Sequence, residues 1–228
     1  MKKVLIVFSC FDPPLSLMEC IKNLYNIQIT DEFQYKIICV DNDSEITTTY
    51  DIINNVFPEV EICYVKNKNY EWGAYKYAKE IFDFFDIYMC LQDTIVITKK
   101  IDISLIKENE VFSIFHKSGF FSHPCIKNRK NLERFLKNTN LDVKGIIDTR
   151  FILSQHNTFI ISKRNLDIMY ETLKNPPICK LDTNFYERLY GLYFIIKKIK
   201  TINLEPYVKK IPRGPERRYI NEYNMLYK

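Results

Sequence analysis

A chain of 228 residues suits one medium domain, and 46% hydrophobic, 14% aromatic and 27% charged residues describe a folded chain and exclude general disorder. Only five glycines occur, and no two are close enough to form a Gly-rich phosphate loop of the dinucleotide or Walker type. The net charge of +5 is concentrated: between Lys197 and Arg218 eight basic residues face two acids, leaving a near-neutral body, so a local anionic partner is expected and no nucleic acid.

In chain order, Val4 to Cys10 reads as a buried first strand; Met1-Lys2-Lys3 before it has the flavour of a signal peptide, but Asp12-Pro13-Pro14 cuts the apolar stretch short. Ser16 with Glu19 forms a capping-box pattern, and Leu17, Ile21 and Leu24 give an apolar stripe at helical spacing. Lys36 to Val40 predicts the second strand, ending in Asp41-Asn42-Asp43-Ser44. A helix through Ile46, Tyr50 and Ile53 follows, then a third strand at Val60 to Val65. Ala74, Tyr77, Ala78, Ile81 and Phe85 share one predicted helical face, and Ile87 to Leu91 is the fourth strand, closed by Gln92-Asp93-Thr94. Further on, strands are expected at Val111 to Phe115, Arg150 to Leu153 and Asn157 to Ser162, and helices at Asn131 to Asn138, Arg164 to Lys174 and Asp182 to Lys198. This alternation predicts an α/β fold with a mostly parallel central sheet flanked by helices, in a single domain with a basic C-terminal tail. Seven cysteines without a C-x-x-C pair read as core residues of a reducing, cytoplasmic protein, and no apolar run is long enough to span a membrane.

Ligands of open α/β sheets bind beyond the carboxyl ends of the strands, so the acids there carry weight. Asp41 suits hydrogen bonds to ribose or a base edge; Asp43 suits either that role or, with Ser44, capping of the next helix. Asp93 suits Mg²⁺ or Mn²⁺ bound together with phosphate oxygens, or a plain cap. His116, His123 and His156 are candidates for site loops, and Tyr70, Trp72, Phe120 and Phe121 for stacking, against the alternative of structural or core roles.

The Asp41-Asn42-Asp43-Ser44 strand end, Lys66-Asn67-Lys68-Asn69 running into Trp72-Gly73-Ala74, and Gln92-Asp93-Thr94 resemble the nucleotide-sugar half of GT-A fold glycosyltransferases, particularly the inverting family 2. Residues 181–189, beginning Leu181-Asp182-Thr183, resemble that family's Glu-Asp…Arg-Leu helix start, with Arg188 in the basic position. The resemblance covers about Lys3 to Lys200. It implies a nucleotide-binding half at 1–98, an acceptor-binding half at 99–204 and a basic tail at 205–228. The donor implied is a nucleoside-diphosphate sugar, bound by Asp41 or Asp43, Asn67, Asn69, Gly73 and Gln92, with Mn²⁺ or Mg²⁺ on Asp93; the acceptor is a glycan or lipid-linked saccharide. The catalytic base implied is Asp182, with Glu187 as rival because Leu181 replaces the family's Glu. Gln92 likewise stands where the metal motif carries a second acid. Arg213, Arg217 and Arg218, beside Gly214, suit a flap on the diphosphate, a peripheral contact with anionic lipid at the inner face of a membrane, or neither. A nucleotidyltransferase lacks its basic Gly-rich loop at residues 10–14, and a nucleic-acid-binding module lacks any recognisable signature outside the tail.

Overall fold

The computed structural model describes residues 2–26, 33–67, 69–103, 106–114, 118–119, 136–137, 139, 141 and 151–211. His116, His123, Phe120, Phe121, Cys125, most of the helix expected at Asn131 to Asn138, and Arg213, Arg217 and Arg218 lie outside the described residues.

The strands β1 (Lys3–Cys10), β2 (Gln34–Asn42), β3 (Glu61–Val65) and β4 (Ile87–Gln92) alternate with the helices α1 (Ser16–Asn26), α2 (Thr48–Val56) and α3 (Tyr70–Ile81). Short strands β5 (Ile95–Ile97), β6 (Glu110–Ser113), β7 (Ser118–Gly119) and β8 (Phe151–Ile152) lead to β9 (Phe159–Ser162). Then come α4 (Lys163–Thr172), α5 (Lys180–Ile196), β10 (Lys200–Asn203) and β11 (Val208–Lys210). The central sheet has seven strands in the order β10-β6-β9-β4-β1-β2-β3; only β9 runs antiparallel to its neighbours. The expected α/β architecture with a mostly parallel sheet is therefore present.

Residues Val4 to Phe8 of β1 are all fully buried, because helices cover both faces and a central parallel strand has no solvent side. Alternate residues divide between two cores. Val4, Ile6, Phe8 and Cys10 pack with Leu17, Ile21 and Leu24 of α1 and Tyr50 and Ile53 of α2. Leu5 and Val7 pack on the opposite face with α3, α4 and the aromatic side of α5, where Phe159 and Tyr190 meet edge to face at 5.1 Å and Trp72 meets Tyr170 at 5.2 Å.

Several local expectations are corrected. Ser16 lies inside α1 with its hydroxyl buried and unbonded, so the capping box does not form; the helix instead starts from Leu17 N–H donating to Pro14 O at 2.9 Å. On α3 the buried residues are Glu71, Trp72, Ala74, Tyr75 and Ala78, and Ile81 is 56% exposed. Of the expected face Ala74, Ala78 and Phe85 are buried, Phe85 lying beyond the end of the helix, and Phe82 is buried beside it. Residues after Leu204 do not leave the body at once: β11 pairs antiparallel with β5, and Ile211 N–H donates to Thr94 O at 2.8 Å.

No helix among the described residues is long and apolar enough to cross a membrane. Cys10, Cys20, Cys39, Cys63 and Cys90 are buried core residues outside any disulfide; burial pushes the Cys63 thiol up to about 12 and the Cys10, Cys20 and Cys90 thiols up as well, so those four stay protonated.

Candidate active site

From β1 the chain adds β2 and β3 on one side, then returns to place β4 on the other. The order therefore reverses between β1 and β4, and the crevice at their carboxyl ends is where such sheets bind ligands. Backbone strain collects there: five of the six described non-glycine residues with left-handed φ are Asp12, Asp43, Tyr70, His156 and Asn157, in the loops along this edge.

The first part of the edge is a set of tied loops. Asp41, 3% exposed, accepts from the Ser44 hydroxyl, from Tyr50 OH at 2.7 Å and from Ser44 N–H at 3.1 Å. Asp12 accepts from Glu45 N–H at 2.9 Å and Ile46 N–H at 3.1 Å, and its own N–H donates to Ser44 Oγ at 2.7 Å. Both oxygens of Asp41 thus hold the β2–α2 loop. Asp43, exposed at φ 66°, is the strand-end acid turned to solvent. Neither Asp43 nor Ser44 caps α2, which begins after Thr47.

Beside these loops runs an amide ladder. Asn42 donates to Ser9 Oγ at 3.0 Å and Cys10 O at 2.9 Å, and its Oδ1 accepts from Asn67 Nδ2 at 2.6 Å. Asn67 also donates to Tyr70 O at 3.2 Å and accepts from Asn69 N–H at 2.7 Å; Asn69 in turn donates to Pro177 O at 2.9 Å. A side chain at residue 73 would overlap the Asn67 amide, which explains the glycine there. Trp72 is buried, with its indole N–H donating to Leu173 O at 3.3 Å, so it packs in the core and does not form a stacking platform.

The second part of the edge carries charge. Gln92, at the end of β4, donates to Glu71 Oε1 at 2.6 Å and accepts from Lys210 Nζ at 3.4 Å. Lys210 also donates to His156 Nδ1 at 2.9 Å. An ammonium cannot accept, so the imidazole of His156 is neutral at Nδ1 in this pair and its proton sits on Nε2. The backbone N–H of His156, not its ring, donates to Glu187 Oε1 at 2.8 Å. Five residues from α3, β4, β11, the turn before β9, and α5 thereby form one chain of contacts. Burial raises the Glu187 carboxyl above its usual range, Glu71 adds to the rise, and the His156 N–H, Arg188 and Lys210 oppose it. Glu71 is 8% exposed, and its second oxygen is buried without a hydrogen-bond partner.

Asp182 and Glu187 share α5 but not an environment. Asp182 is fully buried in the first turn, where it accepts the Ile178 N–H at 2.8 Å, reaching back to tie down the loop before the helix. Glu187 is half-buried and faces the cluster. Arg188 donates to Asn184 O at 2.8 Å on the exposed side.

Among the described residues no three His, Cys, Asp or Glu side chains group where the divalent ion implied at Asp93 could be held by protein alone. Asp93 is 1% exposed and accepts the Phe11 N–H at 3.4 Å, and Gln92, in place of a second acid, has its amide bound at both ends.

Of the sequence-predicted residues, Asp41, Asp43, Asn67, Asn69, Gly73, Gln92, Asp93 and Glu187 gather on this edge, with Asp41 and the amides engaged inside the fold. Sequence reasoning missed Glu71 and Lys210 and gave His156 no partner. Glu71 looks like an ordinary first-turn helix acid, and the only signal for Lys210 was the basic run around it. Comparison with family models and with curated proteins returns no match.

Proposed function

We propose that the chain is an inverting glycosyltransferase that moves a sugar from a nucleoside diphosphate to a hydroxyl of a glycan or lipid-linked acceptor. The observation that carries this reading is the cluster of Glu187, His156, Lys210, Gln92 and Glu71 at the β1/β4 switch point. It combines a half-buried carboxylate of raised pKa with a fixed cation on the same crevice. The segments bearing the resemblance converge on that edge as well.

In the proposed reaction Glu187 is the base. It takes the proton of the acceptor hydroxyl as that oxygen bonds to the anomeric carbon; the bond from that carbon to the diphosphate oxygen breaks, and the diphosphate leaves with the electron pair. A single in-line displacement inverts the centre and needs one base. A carboxyl held above its ordinary pKa takes a proton more readily, and the bond from the backbone N–H of His156 keeps it aimed. Asp43, exposed at its left-handed turn, is the acid offered to ribose or base, and the Asn42–Asn67–Gly73 ladder shapes the wall beside it.

Incubation with a panel of nucleotide sugars tests this, with donor hydrolysis and transfer to simple glycosides as readouts. Turnover of at least one donor is expected, lost in Glu187→Gln and retained in part in Asp182→Asn. Loss in Asp182→Asn alone, in a protein that still folds, would return the base to Asp182. No turnover and no thermal stabilisation by any donor would remove the glycosyltransferase reading.

A further inference from the structure

We infer that the turn from Ser154 to Asn157 is a positioning device for Glu187, with Asn157 as its key. Held in a left-handed conformation and tied to α5, Asn157 keeps the backbone N–H of His156 on the base carboxylate. The inference rests on the glycosyltransferase reading above, with Glu187 as the base.

Geometry is the first argument, since three donors of this turn meet one helix. Ser154 N–H donates to Glu187 O at 2.9 Å, and the Asn157 side-chain amide donates to Thr183 O at 3.4 Å. The third donor, the backbone N–H of His156, reaches Glu187 Oε1 at 2.8 Å. Residues 183 and 187 are four apart, so the turn grips one face of α5 across one helical turn. On its other side the turn is anchored at the end of β6. There Gln155 N–H donates to Ile114 O at 2.9 Å, and the Ser154 and Ser113 hydroxyls meet at 2.6 Å. The carboxylate is thereby fixed against the sheet, which the rotatable side chain of a glutamate does not achieve alone.

The cost of the turn is the second argument. His156 and Asn157 are consecutive non-glycine residues with left-handed φ, 59° and 48°, a region that L side chains rarely adopt. Asn157 is 3% exposed, and its Oδ1 is buried without a hydrogen-bond partner. A turn shaped for stability alone would carry glycine here and leave no acceptor bare. Such costs persist where the surroundings over-determine them, and they cluster at functional sites. What this turn yields is the N–H on Glu187. The charges acting on that carboxyl come from elsewhere: Arg188 on its own helix, Lys210 on β11 and Glu71 on α3. The turn adds a neutral hydrogen bond that favours the ionised form.

The test is an NMR titration of the full chain carrying ¹³C-labelled glutamate carboxyls, with Glu187→Gln identifying the resonance. Asn157→Ala loses both the amide tie and the residue type that tolerates left-handed φ. Asn157→Gly loses the tie but adopts that φ without strain, and it carries the same test in a fold that circular dichroism and melting curves check. In both variants the Glu187 midpoint should rise above that of the native chain, because the N–H bond is lost while burial remains. Turnover of whichever donor the native chain uses should fall about tenfold or more in Asn157→Ala, and less in Asn157→Gly, with KM little changed. An unchanged midpoint in both variants would overturn the inference and leave the glycosyltransferase reading standing. A fall to the ordinary 4.5 would do the same, since the turn would then shield the carboxyl without aiming it. Undiminished turnover in Asn157→Ala would also count against it. If the native chain turns over no donor, the reading of the site fails and the inference, which needs a base to aim, fails with it.

Discussion

From Ser9 through Asn42 to Asn67, the network at the ends of β1 to β3 is neutral, and each amide is bound to protein partners. From Glu71 through Gln92, Lys210 and His156 to Glu187, the network at β4 and β9 is charged, with Lys210 exposed at its middle. Both cross one edge of one sheet. Satisfied buried amides specify a shape and leave little for a ligand to gain. A half-buried carboxylate of raised pKa beside an ammonium contributes little to folding and leaves groups for chemistry. On this edge, then, polar character alone does not mark function; what separates the amide network from the Glu71–Glu187 cluster is charge together with access.

The largest effect that would sharpen this contrast is at Glu187. Glu187→Gln should lower turnover by about 10²–10⁴-fold, the usual contribution of a general base, while raising the melting temperature at neutral pH. The sign follows from the raised pKa: folding is favoured by the protonated form, and this contribution is present below the unfolded pKa and lost as pH rises through the folded one. In the same series, turnover by the unmodified chain should rise with pH along an acid limb lying above the ordinary 4.5 of glutamate, since the base must be ionised. An acid limb at the ordinary value would assign the base elsewhere.

On the neutral side the expected effects are smaller and fall on stability. Gly73→Ala pushes a methyl into the Asn67 amide and should cost about 1–3 kcal/mol in urea unfolding. Asn67→Ala introduced in the same chain should relieve the overlap, so the two changes together should cost less than their sum. Simple additivity would mean that residue 73 and Asn67 are not coupled. Smallest is Tyr50→Phe, which removes one donor to Asp41 and should cost about 1 kcal/mol with nucleotide binding unchanged. A loss of nucleotide affinity there would show that Asp41 answers to the ligand as well as to its loop.

The framework of the first hundred residues was legible because β1, β2 and β4 each contain an unbroken apolar run (Val4 to Phe8, Ile37 to Val40, Ile87 to Leu91), as strand segments covered on both faces must. The strands β5 and β11 were not, since three residues are too few for any periodicity to emerge and each finds its partner only in the tertiary fold. The site divides in the same way. Acids at strand ends were visible as types, but whether each holds a loop or faces a ligand depends on distant donors: Asp12 meets Ser44 across 32 residues, and Lys210 meets Gln92 across 118. Asp182 and Glu187 were equal as letters on one helix; five residues along α5, the first meets the loop before it and the second meets His156.

The β5–β11 pairing also has a consequence for biogenesis. At ordinary translation rates of about 5–20 residues per second, roughly 6–24 s separate the synthesis of Gln92 from that of Lys210. During that interval the emerging chain holds both Glu71 and Gln92 but lacks the ammonium that bridges Gln92 to His156. A product ended between Glu187 and Lys210 would carry Glu71 and Glu187 without the Lys210 ammonium near them, and the last short strand to arrive is the one that brings it.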